Sequence, residues 1–199
     1  MIQMITMIMN LQKMMKNNLH SFFFDKKKFY RLHSIIILKE KRYKNKENCK
    51  VIFDKIKKTY KNKDVILVEG EYSRLGVGND LFEGVKSLKR ILCPTKNAYD
   101  IYDKILKEVL KQDKNKLILV SLGPTSKPLV FDLHKKGYQA IDLGHIDLEY
   151  EWFLKGETKK VKIDNKYVNE VDDGDVSNDL NDKKYNSEIL INLNKKRGK

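Results

Sequence analysis

Arginine is scarce in this chain of 199 residues, because only five of its 41 basic residues are arginine. Arginine is the usual side chain for bidentate contacts to phosphates and base edges, so its near absence argues against specific nucleic-acid recognition despite a formal net charge of +14. Long apolar stretches are also missing. The longest uninterrupted runs are strand-sized, such as Ile35 to Leu38, far short of the roughly 20 residues a membrane helix needs. The first residues, MIQMITMIMNL, lack a basic lead and a small-residue cleavage site, so they do not read as a secretion signal. With two cysteines, Cys49 and Cys93, no disulfide framework is expected. Together these absences point to a cytoplasmic protein with reduced, buried or idle thiols.

The positive charge is unevenly placed. Residues 1–63 hold 17 Lys or Arg against four acids, leaving 24 against 23 for the remainder. With two alanines and abundant Asn, Ile and Lys, the chain has the profile of an A/T-rich coding sequence, which accounts for the lysines without a nucleic-acid surface. All six methionines lie within the first fifteen residues, in a segment without a helical or strand period. Residues 1–48 therefore read as a poorly specified basic lead-in; an amphipathic membrane-surface anchor is the other reading. Weak polyanion binding that disappears at moderate salt is the expectation for this segment.

Order improves from Cys49. Val51 to Tyr60 has helical spacing, and Asp64 to Val68 then reads as a buried strand. A short helix is expected near Leu81 to Ser87, a strand over Lys89 to Cys93, and a long amphipathic helix from about Ala98 to Gln112. Leu117 to Leu122 is the continuous apolar run typical of a central parallel strand. A GPTSKP turn leads to a helix from Pro128 to Lys136, stopped by Gly137, and Tyr138 to Leu143 supplies a fourth strand. Alternating β and α segments predict an α/β fold, a Rossmann-like parallel sheet flanked by helices. The tail from residue 171 reads as a polar loop followed by a short helix near Ser187 to Leu193.

In such sheets ligands sit beyond the carboxyl ends of the strands. Those ends carry VEGEYSRLGVGND, CPTKN, SLGPTS and LGHIDLEYE. They offer Glu69, Glu71, Ser73, Arg74, Gly76, Gly78, Asn79, Asp80 and Gly123 as candidate substrate-binding residues. Gly76 and Gly78 would let backbone approach a phosphate, Asn79 or Asp80 would cap a helix, and Arg74 would neutralise an anion. Neither a dinucleotide fingerprint nor a Walker motif is present, and a plain strand-to-helix turn explains Gly-x-Gly by itself. In LGHIDLEYE, an extended backbone would put His145, Asp147, Glu149 and Glu151 on one side. A helix would instead pair 145 with 149 and 147 with 151. Imidazole with carboxylates suits Mn or Mg, making His145 and Asp147 candidate metal ligands, and a nearby carboxylate can act as a general base.

The blocks DVILVEGEYSRLGVGNDLF, KRILCPTKNAYDIYDKIL, LILVSLGPTSKPLVFDL and GYQAIDLGHIDLEYEWF resemble, in this order and spacing, the GT-D-fold glycosyltransferases. The likeness runs from about residue 50 to residue 190. It implies a GT-D-type sandwich over 49–170, completed by 171–199. It also implies a metal-dependent transferase that moves a hexose, such as glucose from UDP-glucose, onto glycans of serine-rich surface glycoproteins. Under this resemblance Glu71, Arg74, Gly76, Gly78, Asn79 and Asp80 would line the donor pocket. His145 would lie by metal and nucleotide, and Glu151 would be the base that activates the acceptor hydroxyl.

One departure stands out. Family members carry an upstream Arg-Phe-Gly-Asp-Gly-Glu-like segment whose Asp-x-Glu pair holds the metal, whereas the acids of residues 1–50 are Asp25, Glu40 and Glu47, at unrelated spacing. The expectation is an N-terminally truncated member that keeps the fold, holds Mn or Mg weakly and turns over little. A non-catalytic nucleotide-binding module is the alternative, with a basic nucleic-acid or membrane-surface protein behind it. Oligomeric state has no signature in the sequence.

Overall fold

A computed structural model of the chain describes residues 46–176 and 178–194. The basic lead-in lies outside the described residues except for its last three, which open the first helix, α1 (Lys46–Tyr60). Buried Cys49, Ile52, Phe53, Ile56 and Tyr60 recur at helical spacing along α1. Strand β1 (Asp64–Gly70) is buried from its second residue onward, and β3 (Leu117–Ser121) is buried throughout, as strands covered on both faces must be. Between them come β2 (Ser87–Cys93) and α2 (Tyr102–Val109), the latter entered through a 3₁₀ turn, Ala98–Ile101. A second 3₁₀ turn, Gly123–Thr125, leads into α3 (Ser126–Lys135), followed by β4 (Gln139–Asp142) and α4 (Ile146–Lys155). The described chain closes with α5 (Lys183–Glu188) and β5 (Ile189–Asn192).

Among the described residues five strands form one parallel sheet, in the order β4-β3-β1-β2-β5. The expected α/β sheet flanked by helices is therefore the observed architecture. On one face Ile66, Val68, Ile118 and Val120 pack with Ile105 and Val109 of α2 and with Leu129 and Leu133 of α3. Elsewhere α1 meets α4 through Phe53 and Tyr150, whose ring centroids are 4.7 Å apart. Gly137 takes φ 85° just after α3, the left-handed backbone expected of a helix stop.

Three expectations about elements need correction. No helix forms over Leu81 to Ser87, because Leu81 and Phe82 are buried as anchors of an irregular loop. Tyr60 donates its hydroxyl to the Leu81 carbonyl (2.9 Å), and Asn62 N–H bonds the Gly84 carbonyl (2.8 Å), so side chain and backbone bonds replace a helical ladder. The helix expected over Ala98 to Gln112 is shorter and starts as a 3₁₀ turn. Residues 189–192 are a strand instead of a helix, because the β2 edge offers them ladder partners. The helix sits just before them, where Asp182 accepts the Tyr185 N–H as an N-cap (2.9 Å). Neither cysteine forms a disulfide and both are buried, and burial, with the Glu69 charge nearby, pushes the Cys93 thiol well up.

Candidate active site

Chain connections leave β1 toward β2 on one side and β3 toward β4 on the other, so their carboxyl ends diverge and open a crevice. A cavity of about 510 Å³ lies there. Its wall includes Ser73 after β1, Lys96 after β2, Gly123 after β3, His145 and Asp147 after β4, and Tyr167. Gly70 ends β1 where a Cβ would sit 2.9 Å from Ser73 Oγ and 3.1 Å from Thr95 Cα, so a side chain there would crowd the two loops that meet at this point. Gly123, at φ 55°, has nothing within 4 Å of where a Cβ would be, leaving its backbone open toward the cavity. Ser121 donates to the Gly144 carbonyl (2.8 Å) and Gly144 N–H bonds Asp142 (3.0 Å), fixing the β4 turn that delivers His145 to the start of α4. His145 Nδ1 lies 3.8 Å from Glu170.

Helix α4 answers the geometric question posed by LGHIDLEYE. Asp147 and Glu151 lie one turn apart and converge on one cation, the buried ammonium of Lys166, at 2.7 and 2.8 Å. Asp147 Oδ1 also accepts Gly76 N–H (2.8 Å) and the Asn79 amide (2.9 Å), and the same amide donates to Glu151 Oε1 (2.6 Å). Asn79 turns its carbonyl oxygen back to Leu81 N–H (3.0 Å). Gly76 has a φ of 76°, and a Cβ there would fall 2.5 Å from Phe82 Cδ2, so the residue that offers its N–H to Asp147 must be glycine. Lys166 carried no sequence signal of its own in so lysine-rich a chain. Its position between buried Ile163 and Val168 was the one available hint.

The remaining candidates are placed elsewhere. Glu69 is fully buried and accepts from Leu75 N–H (2.7 Å) and Arg90 Nη1 (2.5 Å), while Arg90 Nε bonds Glu188 (2.7 Å). Burial pushes the Glu69 carboxyl up against the opposing pull of that guanidinium, and the pair ties β1, β2 and α5 together. Glu71 accepts the side-chain amides of Asn192 (2.6 Å) and Asn194 (2.7 Å), holding β5 and the residues after it. Arg74, buried and at φ 48°, donates to the carbonyls of Asn165 (2.8 Å) and Asn178. It is absent from the cavity wall; its guanidinium clamps two loops. Gly76, Gly78, Asn79 and Asp80 border a second cavity of about 700 Å³, which Lys184 and Tyr185 also line. Hydrogen bonds from Lys57 (2.5 Å) and Tyr150 (2.6 Å) hold the Asp80 carboxyl below its usual range.

Asp147 spans the two groups, with a place on the first cavity's wall and a hydrogen bond to the loop of the second. A divalent cage is not available from these side chains. Among the described residues no three His, Cys, Asp or Glu side chains gather in a way that could hold a metal ion, and both Asp147 oxygens already have donors. Asp25 and Glu40 lie outside the described residues. No helix among the described residues is long and apolar enough to cross a membrane.

Comparison with known proteins agrees with this architecture. The family model described as "Glycosyltransferase GT-D fold" matches residues 5–171, extending the likeness upstream of residue 50. The chain is 48% identical over 142 residues to "Probable glycosyl transferase Gly" of Streptococcus gordonii, covering 71% of this chain and 21% of that protein. It is 40% identical over 151 residues to "Glycosyltransferase GlyD" of Streptococcus pneumoniae serotype 4, covering 76% and 19%. The chain thus spans about a fifth of the length of these curated relatives. Among solved structures, "A New Glycosyltransferase (DUF1792) from Streptococcus sanguinis" superposes with a TM-score of 0.72 at 38% identity, over 92% of this chain and 70% of that one. A second, described as a domain of unknown function with "a distinct glycosyltransferase fold", gives 0.69 at 49% identity over 74% and 53%.

Proposed function

Because the chain belongs to the glycosyltransferase GT-D fold family, we propose that its strand-end cavity binds a nucleotide-sugar donor and that the domain transfers the sugar to a glycan acceptor. A UDP-hexose such as UDP-glucose is the donor in this reading, and the acceptor is a glycan carried by a surface glycoprotein. One observation carries it: the 510 Å³ cavity at the sheet's switch point combines the exposed ammonium of Lys96, ion-paired at the surface with Asp175 (3.0 Å), with His145 and the open backbone at Gly123. An anionic diphosphate needs such positive and hydrogen-bonding groups as it leaves.

In the transfer step the bond between the sugar's anomeric carbon and the diphosphate oxygen breaks, and a bond from that carbon to the acceptor hydroxyl oxygen forms. The hydroxyl proton passes to His145 Nε2, and Lys96 lies beside the charge that develops on the diphosphate. Glu151 accepts from Asn79 and Lys166 and stands off the cavity wall, so its role here is to position α4 and the Gly76–Asn79 loop. Transfer from radiolabelled UDP-glucose to an oligosaccharide acceptor tests the scheme. His145→Ala is expected to lower turnover by about 10²-fold, the usual worth of a general base; unchanged turnover removes His145 from the chemistry. The commitment of Asp147 and Glu151 to Lys166 favours a second reading, a nucleotide-binding module with little turnover. UDP binding by the wild-type chain without any transfer would select it.

A further inference from the structure

Two carboxylates one helical turn apart, aimed at one point beside an open cavity, form the start of a divalent-cation site. Here that point is filled. Lys166 is 2% exposed, and its Nζ sits 2.7 Å from Asp147 Oδ2 and 2.8 Å from Glu151 Oε1. The outer oxygen of Asp147 is closed by Gly76 N–H and Asn79, and Asn79 also caps Glu151 Oε1. An incoming ion would have to expel a buried ammonium and break its two charged hydrogen bonds. It would gain two carboxylates of the roughly six ligands that Mn or Mg prefers.

We infer that Lys166 is a resident cation of this carboxylate pair: it keeps divalent ions off Asp147 and Glu151, and it neutralises Asp147 where that residue meets the cavity. An anionic ligand entering beside His145 then faces a floor whose acid is already compensated from behind. The first clause stands on the geometry alone. The second rests on the donor-binding reading proposed above.

The full chain tests both. Its single tryptophan, Trp152, adjoins Glu151 in sequence, so paramagnetic Mn²⁺ bound at the pair would quench its fluorescence. The expected result is no saturable quenching in the wild type, or quenching that Asp147→Asn leaves unchanged, together with a new saturable response in Lys166→Met. Saturable quenching of the wild type that Asp147→Asn abolishes would overturn the inference. So would a folded Lys166→Met with no gain, and if that variant does not fold, the wild type and Asp147→Asn decide. In parallel, UDP affinity measured in chelator and in Mn²⁺ is expected to agree within about twofold, since no bridging ion is needed when a fixed charge does its work. Binding that requires Mn²⁺, and loses that requirement together with the quenching in Asp147→Asn, would overturn the inference. A complete absence of UDP binding would sink the donor reading and the second clause with it, while the quenching result still decides the first.

Discussion

The two groups of polar residues around the carboxyl ends of the sheet use charge in opposite ways. In the Asp147–Glu151–Lys166–Asn79 knot and the Glu69–Arg90–Glu188 bridge, each charge meets a partner inside the protein and is shielded from water. On the strand-end cavity wall, Lys96 pairs with Asp175 (3.0 Å) but both side chains are largely exposed, His145 is half-buried and Gly123 presents bare backbone. Buried, fully paired charges fix geometry but leave little for a ligand, whereas wall groups with access to solvent can exchange water for substrate. The difference separates the residues that hold the loops from those that would meet a donor in the reading proposed above.

The largest effect is expected where pairing is most complete. Arg90→Met would leave Glu69 buried without its guanidinium and free Glu188, and loss of one partner of a buried ion pair costs about 3–5 kcal/mol. Urea unfolding of this variant measures the loss. A change under about 1 kcal/mol would show that water reaches the bridge and would blur the division drawn above.

Gly76→Ala comes next, because it breaks the knot at its backbone. The added methyl would meet the Phe82 ring at a left-handed φ, a combination of strain and overpacking worth about 1–3 kcal/mol. Thermal unfolding should detect the loss, and UDP affinity in the folded fraction should stay close to wild type. A large loss of UDP affinity in a still-folded Gly76→Ala would show that the Gly76–Asn79 loop itself meets the ligand.

These two variants also mark how far the sequence could be read. Val65–Val68 and Leu117–Val120 were legible as strands because parallel strands buried on both faces must be continuously apolar. The facing of Asp147 and Glu151 was legible too, since helical spacing alone pairs residues four apart. The fate of their charge was hidden, because Lys166 lies fifteen and nineteen residues away along the chain and nothing local distinguishes it from its many fellow lysines. Arg74 and Glu69 looked like ligand groups for the same reason: a charged residue after a strand reads alike whether it meets substrate or a distant backbone carbonyl. Of the two partners of Arg74, Asn178 belongs to the tail that read as solvated loop, and Asn165 lies just before it, 91 residues along the chain from the arginine. Strand β5 escaped notice because an edge strand of four residues is specified by the β2 ladder it joins, a long-range contact with no local period.

A smaller effect is expected from acid. Hydrogen bonds from Lys57 and Tyr150 lower the Asp80 pKa from its ordinary value of 3.8, so this carboxylate stabilises the fold at pH above that value. The contribution is lost as pH falls through the still lower folded value. Asp80→Asn should therefore narrow the gap in melting temperature between neutral pH and about pH 3. An unchanged gap would mean that this half-exposed pair contributes nothing measurable.

The most direct test of the central claim, that ligand charge is met at the strand-end cavity, is calorimetry of UDP with two charge reversals on exposed lysines. Lys96→Glu alters the first cavity and Lys184→Glu the second, and neither side chain is buried. The account predicts that Lys96→Glu weakens UDP roughly tenfold or more, the worth of a charged hydrogen bond, while Lys184→Glu leaves affinity within about twofold and both variants melt close to wild type. Full affinity in Lys96→Glu, with binding lost in Lys184→Glu, would contradict it and move the donor to the Gly76–Asp80 cavity.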